Sequence, residues 1–399
     1  MFKILNSFND WFLEYKQNNK STIDSNILSA VIILATLGIV MVYSASIAYA
    51  SQPSGLNNQY YYLIRHCGYL LVGTVAGYIC FSMPSAFWQK NAVKIVVGVI
   101  LLLIAVLIPH VGKAVNGAKR WIGVGLLNIQ PSELAKLGIT IYLAYYVCGK
   151  TLSVKRFWSD LFPVVLAIGV VSLLLLLEPD MGSTTVVFII ALGILYLANI
   201  DQRVIIGLSA VGFIGFIGLI VAAPYRMRRV LGFINPWDDA LGKGYQLTHS
   251  LLAVGHGGWT GVGIGNSIEK LFYLPEAHTD FILAIIAEET GVIGIGIILI
   301  MFWVIFYRGF VIIGGEARDF GNRMFQSLLA QGISLWLFAQ ALVNIGVAIG
   351  ILPTKGLTLP FISFGGSSIV VSCIAIGILL KIDYENRKLK RGGIVEEYA

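Results

Sequence analysis

The sequence predicts an all-α, polytopic membrane protein of about ten transmembrane helices, with both termini cytoplasmic and one long outer loop between helices 7 and 8. Three observations predict it. Of 399 residues, 57% are hydrophobic and only 12% charged, with a mean hydropathy of +0.81, a balance that leaves no soluble domain of any size. Apolar runs of spanning length recur from one end of the chain to the other. Between them only one polar stretch, 224–280, is long.

Residues 1–26 carry Lys3, Asp10, Glu14, Lys16, Lys20 and Asp24. No short apolar core with a cleavage site follows them, so they read as a cytoplasmic tail leading into an uncleaved signal-anchor helix. The apolar segments then fall at about 27–48, 62–82, 92–109, 132–149, 161–178, 182–199, 203–223, 281–306, 325–351 and 362–381. Residues 27–381 therefore form one membrane domain, and 382–399 a cytoplasmic C-terminal tail. An even number of spans puts both ends on one side. With that side inside, inner tails and loops hold about 17 Lys and Arg against about 9 outside, the bias expected of cytoplasmic loops. The outer minority is concentrated: Lys113, Lys119 and Arg120 in one loop, Arg226, Arg228, Arg229, Lys243 and Lys270 in another, Lys355 in a third. Cations placed against the topology trend point to an anion.

Several function classes drop out. The net charge of +7 is dispersed and accompanied by no basic-aromatic module, so nucleic acid is not an expected partner. Cys67, Cys80, Cys148 and Cys373 lie in or beside apolar runs without metal-ligand spacing and read as small hydrophobes. The run Gly255-His-Gly-Gly-Trp-Thr-Gly-Val-Gly-Ile-Gly265 fails a dinucleotide fingerprint at Thr260 and follows no strand. Gly149-Lys150-Thr151 lacks the upstream glycine of a phosphate loop, since Ala144 stands there. No organic cofactor is expected. The long outer loop reads as backbone folded back onto the membrane, with a short interfacial helix at Tyr245–Val254.

Numbering the spans brings out a pattern. The fourth follows Lys119-Arg120-Trp121 and Gln130-Pro-Ser-Glu133-Leu-Ala-Lys136; the sixth follows Glu178-Pro179-Asp180; the eighth follows Leu274-Pro-Glu-Ala-His-Thr-Asp280; the tenth follows Leu352–Ser368. All four polar clusters precede even-numbered helices, so they share the outer face. Each of those helices also presents its N-terminus there, where free N–H groups and the positive dipole end favour phosphate. Bland readings stand beside each piece. Glu133 and Lys136 can neutralise one another at i,i+3, Asp180 and Asp280 can cap helices, His278 can be a turn residue, and Ser363, Ser367 and Ser368 can serve close helix packing. Co-location is what favours function.

The motifs Leu274–Asp280 with Glu288-Glu289, Leu352-Pro-Thr-Lys-Gly-Leu-Thr-Leu-Pro-Phe-Ile-Ser-Phe-Gly-Gly-Ser-Ser368 and Gln130–Lys136 resemble the signatures of the SEDS family (shape, elongation, division and sporulation). The similarity runs from about the first helix to the last, with Phe364 in place of a frequent Tyr and Thr290 in place of a common Leu. Thr354–Thr358 and Glu276-Ala277 resemble the division branch more than the elongation branch.

The resemblance implies a bacterial inner-membrane glycosyltransferase that polymerises lipid II, with Asp280 as the catalytic carboxylate. It further implies substrate binding by Lys119, Arg120, Glu133, Lys136, Asp180, His278, Glu288, Lys355 and Ser367. A divalent cation, Mg or Mn, bridging the pyrophosphate is also implied, with no assigned protein ligands. The implied partners are a class B penicillin-binding protein and other divisome membrane proteins at the septum, with membrane lipids around them. Two other readings stay open. One is a flippase for the same lipid, using Glu133, Lys136, Glu288 and Glu289 as an alternating-access path; the other is a non-catalytic divisome scaffold.

Overall fold

The computed structural model describes residues 23–51, 58–115, 118–124, 127–148, 150, 157–222, 224–240, 242 and 244–395. Most of residues 1–26, and Lys243, fall outside them, as do the side chains of Arg226 and Arg229. A helix stands at each of the ten apolar segments: α1 (Ser25–Ala50), α2 (Tyr61–Ser82), α3 (Ser85–Leu107), α4 (Pro131–Val147), α5 (Phe162–Leu177), α6 (Met181–Leu197) and α7 (Gln202–Ala222), then α10 (Ile282–Phe306), α12 (Met324–Ala348) and α13 (Gly366–Lys390). Two short helices, α8 (Pro224–Ile234) and α9 (Tyr245–Gly257), lie in the long outer loop, and α11 (Gly314–Asp319) follows a π-helical turn after α10. Among the described residues, seven helices are long and apolar enough to cross a membrane by length and composition, and α5 and α6 are shorter apolar ones. The helix α4 carries Glu133 and Lys136 inside it and is buried almost all round. The chain is a multi-pass membrane protein.

One element stands outside the all-α expectation. Between α3 and α4 the chain forms a three-stranded antiparallel sheet, β1 (Gly112–Val115), β2 (Ala118–Val124) and β3 (Leu127–Ile129), in that order. Lys113 pairs with Trp121 and Ile122 with Ile129. Strands this short carry too little alternation to stand out beside spans of about 20 residues. Arg120 of β2 reaches from the sheet to the α5–α6 turn.

The core is organised on α12. Trp336, Phe325, Leu328, Ile333 and Leu337 are fully or almost fully buried on it, and so are the polar Gln326, Ser327, Ser334, Gln340 and Asn344. In hydrocarbon such polar groups are retained only where they find partners. Trp336 Nε1 donates to Gln340 Oε1 (2.9 Å), and Ser334 Oγ donates to Ala330 O (2.7 Å). Opposite, α2 crosses α13 at backbone contact: a Cβ on Gly377 would lie 2.1 Å from Gly77 O. Small residues are what permit helices to approach so closely. The helix α7 is the outlier, exposing Val211, Phe213 and Ile214 to lipid and packing mainly on α6 and α8.

At the inner end, charges are matched. Asp24 caps α1 by accepting from Asn26 N (3.0 Å) and Ile27 N (3.2 Å), and Arg308 and Arg387 close on the same carboxylate. Glu385 accepts from Ser85 N (2.9 Å) and Ser85 Oγ (2.5 Å) and pairs with Arg323, while Lys390 pairs with Glu316 (2.6 Å). Helix α13 thus continues beyond residue 381, through Lys390, with Asp383, Glu385 and Asn386 buried.

Candidate functional site

Four helices, α4, α6, α10 and α13, turn their N-termini toward one cavity of about 730 Å³. Gln130 and Glu133 line it at the start of α4, Asp180 and Ser183 at α6, Asp280 and Phe281 at α10, and Gly365 and Gly366 at α13. That is the geometry in which helix dipoles and unpaired N–H groups add to favour an anion.

Each charged side chain is held from behind. Asp280 ends a tight turn in which Thr279 N donates to Glu276 O (3.1 Å) and Phe281 N donates to the same oxygen (3.3 Å). Asn344 of α12 donates through Nδ2 to Asp280 O (2.9 Å) and Leu357 O (2.6 Å). The Asp280 carboxylate lies over Gly356, where a Cβ would meet Oδ2 at 2.8 Å. Gln340, one turn before Asn344, donates to Thr358 O (2.9 Å). One helix of the core therefore fixes both the acid and the loop facing it.

Arg120 bridges β2 to the α5–α6 turn, donating from Nε to Glu178 O (3.0 Å) and from Nη2 to Pro179 O (2.6 Å). Lys355 donates to Thr185 Oγ1 (2.9 Å) and lies 4.6 Å from the Phe216 ring centroid, a cation–π contact. Burial pulls the Lys355 ammonium down to about 8, against the pull of Asp180 in the other direction. Glu133 pairs with Lys136 (2.7 Å), whose Nζ also donates to Gln340 Oε1 (2.7 Å).

The structure brings Asp280, Arg120, Glu133, Asp180 and Lys355 to the cavity wall. The other five expected binding residues are not on it. Lys119 is exposed, one step along β2 from Arg120, and stands off the cavity wall, which Lys113 and Trp121 line instead. Lys136 is fully buried behind Glu133. His278 turns its ring onto Tyr62 (4.4 Å) and Phe364 (5.8 Å), its carbonyl accepts from Phe364 N (2.9 Å), and burial lowers its pKa. Ser367 accepts from Gln130 N (2.8 Å) and donates to Asn128 O (2.8 Å), fixing β3 against α13. Glu288 is fully buried and receives the outer loop, accepting from Ser267 Oγ (2.5 Å) and Ile268 N (3.1 Å). Its placement on α10, eight residues past Asp280, carries it away from the cavity.

Sequence reasoning missed Arg65 and Tyr69 on α2, Phe216 and Ile220 on α7, and the supporting pair Gln340 and Asn344. The last two had a signal: amides spaced i,i+4 within an apolar span need a partner.

The comparisons with known proteins agree with this architecture. A family model described as "Cell cycle protein" (FtsW, RodA, SpoVE) matches residues 24–388. The chain is 48% identical to the probable peptidoglycan glycosyltransferase FtsW of Burkholderia thailandensis over 93% of its length and 81% of that protein. To the protein of the same description from Nitrosomonas europaea it is 46% identical, over 95% and 97%. Among solved structures, it superposes on a chain of a peptidoglycan synthase complex that coordinates polymerization and crosslinking, with TM-score 0.72 and 28% identity over 91% of this chain and 98% of that one. On Thermus thermophilus rod shape determining protein RodA the TM-score is 0.65, with 27% identity over 93% and 98%. A family model spanning nearly the whole chain and relatives 46–48% identical over more than nine-tenths of it place this protein in the SEDS family, on its FtsW-like branch.

Proposed function

We propose that this chain, a peptidoglycan glycosyltransferase like its FtsW relatives, polymerises lipid II in the outward-facing cavity, with Asp280 as general base. The observation that carries the reading is the sharing of one cavity by Asp280, Arg120, Lys113 and Lys355 with four helix N-termini. Glycosyl transfer from a lipid diphosphate needs a base beside the acceptor hydroxyl and positive charge on the departing diphosphate; both kinds of group line this wall. Phe216 and Ile220 of the loosely packed α7 and Val230 of α8 give the cavity an apolar flank suited to the lipid's first carbons.

In the proposed step the acceptor hydroxyl oxygen bonds to the donor's anomeric carbon as the bond from that carbon to the phosphate oxygen breaks. The hydroxyl proton passes to Asp280, and the electron pair leaves on the diphosphate, held by Arg120, Lys113 and Lys355. Attack opposite the leaving group inverts the anomeric centre, so an α-linked donor yields a β-linked glycan. A single carboxylate suffices, because diphosphate leaves without a proton from a second acid, unlike the leaving groups of glycosidases. A positioned base contributes typically about 10²–10⁴-fold, and electrostatic stabilisation of the leaving group is often the largest single term.

Among the described residues no three His, Cys, Asp or Glu side chains gather to hold a metal ion by themselves. A magnesium-like cation commonly takes one or two carboxylates and completes its shell with substrate phosphate and water. Glu276, on the cavity wall, fits that role and would hold it there; the cation would supply neutralisation of diphosphate charge.

The proposed partner is a class B penicillin-binding protein at the septum; the likeness to a chain of a peptidoglycan synthase complex supports that reading. The flippase reading finds less support, because Glu288 and Glu289 are engaged by the outer loop and Glu133 by Lys136. The test is polymer formation from lipid II by the purified chain with its transpeptidase, with Asp280→Ala beside it. Polymer from the wild type and none from the variant is expected. Equal polymer from both would remove Asp280 from the mechanism.

A further inference from the structure

The glycine-rich outer loop is fastened to α10 by two acids that take no part in the cavity. Helix α10 is broken at Gly291, whose φ of +69° lies outside helical space. The break frees backbone groups that the loop takes up: Val262 N donates to Glu288 O (2.9 Å), Gly263 N to Glu289 O (3.1 Å), and Val292 N to Gly258 O (3.0 Å). A Cβ on Gly261 would stand 2.2 Å from Glu289 O, and one on Gly291 would stand 2.4 Å from Trp259 O. Only glycine allows both backbones this approach.

Onto that seam the side chains add a polar latch. Glu289 accepts from Lys270 Nζ (2.7 Å) and from Ser44 Oγ (2.6 Å) of α1, and Lys270 donates to Ser44 Oγ (3.0 Å). Glu288, beside it, accepts from Ser267 Oγ (2.5 Å), Ile268 N (3.1 Å) and Glu269 N (3.3 Å). All are buried: Glu288 0%, Glu289 1%, Ser267 3%, Glu269 4%, and Lys270 and Ser44 7% exposed. From Glu269 the path to the cavity is short. Glu269 O accepts from Leu274 N (2.9 Å), the residue that opens the turn carrying Asp280, and the Glu269 carboxylate meets His249 Nδ1 of α9 (2.7 Å). The turn 274–281 is thus bounded by the first residues of α10 on one side and by the latched segment 267–270 on the other.

We propose that Glu288 and Glu289, with Ser267, Lys270 and Ser44, are positioning residues that set Asp280 over the cavity by fixing the segment before its turn. The proposal rests on the polymerase reading. An acid anchored at one end only would sample orientations away from the acceptor hydroxyl, and a displacement of about 1 Å can cost about 10²-fold in rate. The diphosphate contacts come from Arg120, Lys113 and Lys355 on other elements, so substrate affinity is spared.

The test uses the full chain with its transpeptidase partner and lipid II as the probe, and compares Ser267→Ala with the double variant Lys270→Met/Glu289→Gln. The double change removes both charges of the buried pair, which avoids the penalty of leaving one of them alone. The hydroxyl change is mild enough to fold if the double variant does not. Expected is a fall in kcat per folded molecule of about 10- to 10²-fold, with KM and lipid II binding little changed, and recovery toward wild type in Ser267→Thr. A drop in melting temperature with unchanged kcat per folded molecule would reduce the latch to a fold staple and overturn the proposal. A wild-type chain that makes no polymer would overturn the polymerase reading and the latch with it; an active wild type with both variants matching it would overturn the latch alone.

Discussion

The two ends of the bundle are built from the same residue types and put them to opposite use. At the inner end Asp24, Arg308, Arg387, Arg323, Glu385, Lys390 and Glu316 face one another and close into pairs. At the outer end Arg120, Lys113, Lys355 and Asp280 face a common hollow, and the anchoring contacts of Arg120 and Lys355 go to backbone carbonyls and a hydroxyl. A buried charge closed on its partner contributes to which fold forms, and removing one partner is costly. A charge tethered from behind and pointed at a hollow leaves its field for a ligand. Charge content alone does not separate the two ends; what the charges point at does.

The largest expected effect sets the ends apart. Asp280→Asn keeps the shape of the side chain and removes the base, so turnover should drop about 10²–10⁴-fold while lipid II binding and melting temperature hold. Polymerisation kinetics beside thermal unfolding check it. Next comes the mirror experiment at the inner end. Glu385→Ala leaves the nearly buried Arg323 without its carboxylate, and loss of one partner of such a pair costs about 3–5 kcal/mol. The folded yield and melting temperature should fall sharply, and kcat per folded molecule should stay as in wild type. A loss of kcat at constant stability in the inner-end variant would erase the distinction.

Much of this contrast was legible in the sequence, and its gaps have physical causes. Alternation of the spans put Gln130–Lys136, Glu178–Asp180, Leu274–Asp280 and Leu352–Ser368 on one side, and the structure gathers parts of all four at one cavity. Orientation was not legible. Lys119 and Arg120 are adjacent in sequence, and only the tertiary contact of Arg120 with Glu178 O and Pro179 O shows which of them reaches the cavity. Glu288 lies on the helix that Asp280 precedes, yet the break at Gly291 and the returning loop claim it. The role of Asn344 depends on a tertiary contact with Asp280 O that no local pattern encodes.

A smaller effect sharpens the outer end by pH. Lys355 has its ammonium pulled down to about 8 by burial, so its charge is complete below that pH and is lost as pH rises through it. Polymerisation should weaken on the alkaline side of about 8, and Lys355→Arg, which stays charged, should move that limb upward. Stability should move the other way. Between about 8 and the ordinary lysine value the unfolded chain binds more protons than the folded one, so this group's contribution to stability rises with pH there. A pH–rate profile and a pH–melting profile on the same preparation read the two signs separately; parallel profiles would show that Lys355 does not act through its charge on the substrate.

The smallest effect tests the wall itself. Lys113 and Lys119 lie on paired strands, yet Lys113 lines the cavity and Lys119 does not. Both side chains are exposed, but a cation beside the leaving diphosphate stabilises charge that develops in the reaction, whereas one away from it is screened by solvent and salt. Lys113→Ala should therefore lower turnover several-fold, and Lys119→Ala should leave it within about twofold, since surface substitutions away from special features usually change free energies by no more than about 0.5 kcal/mol. Kinetics of both variants at two salt concentrations decide the matter. If Lys119→Ala proves the more damaging, the place given to Lys113 beside the leaving diphosphate fails.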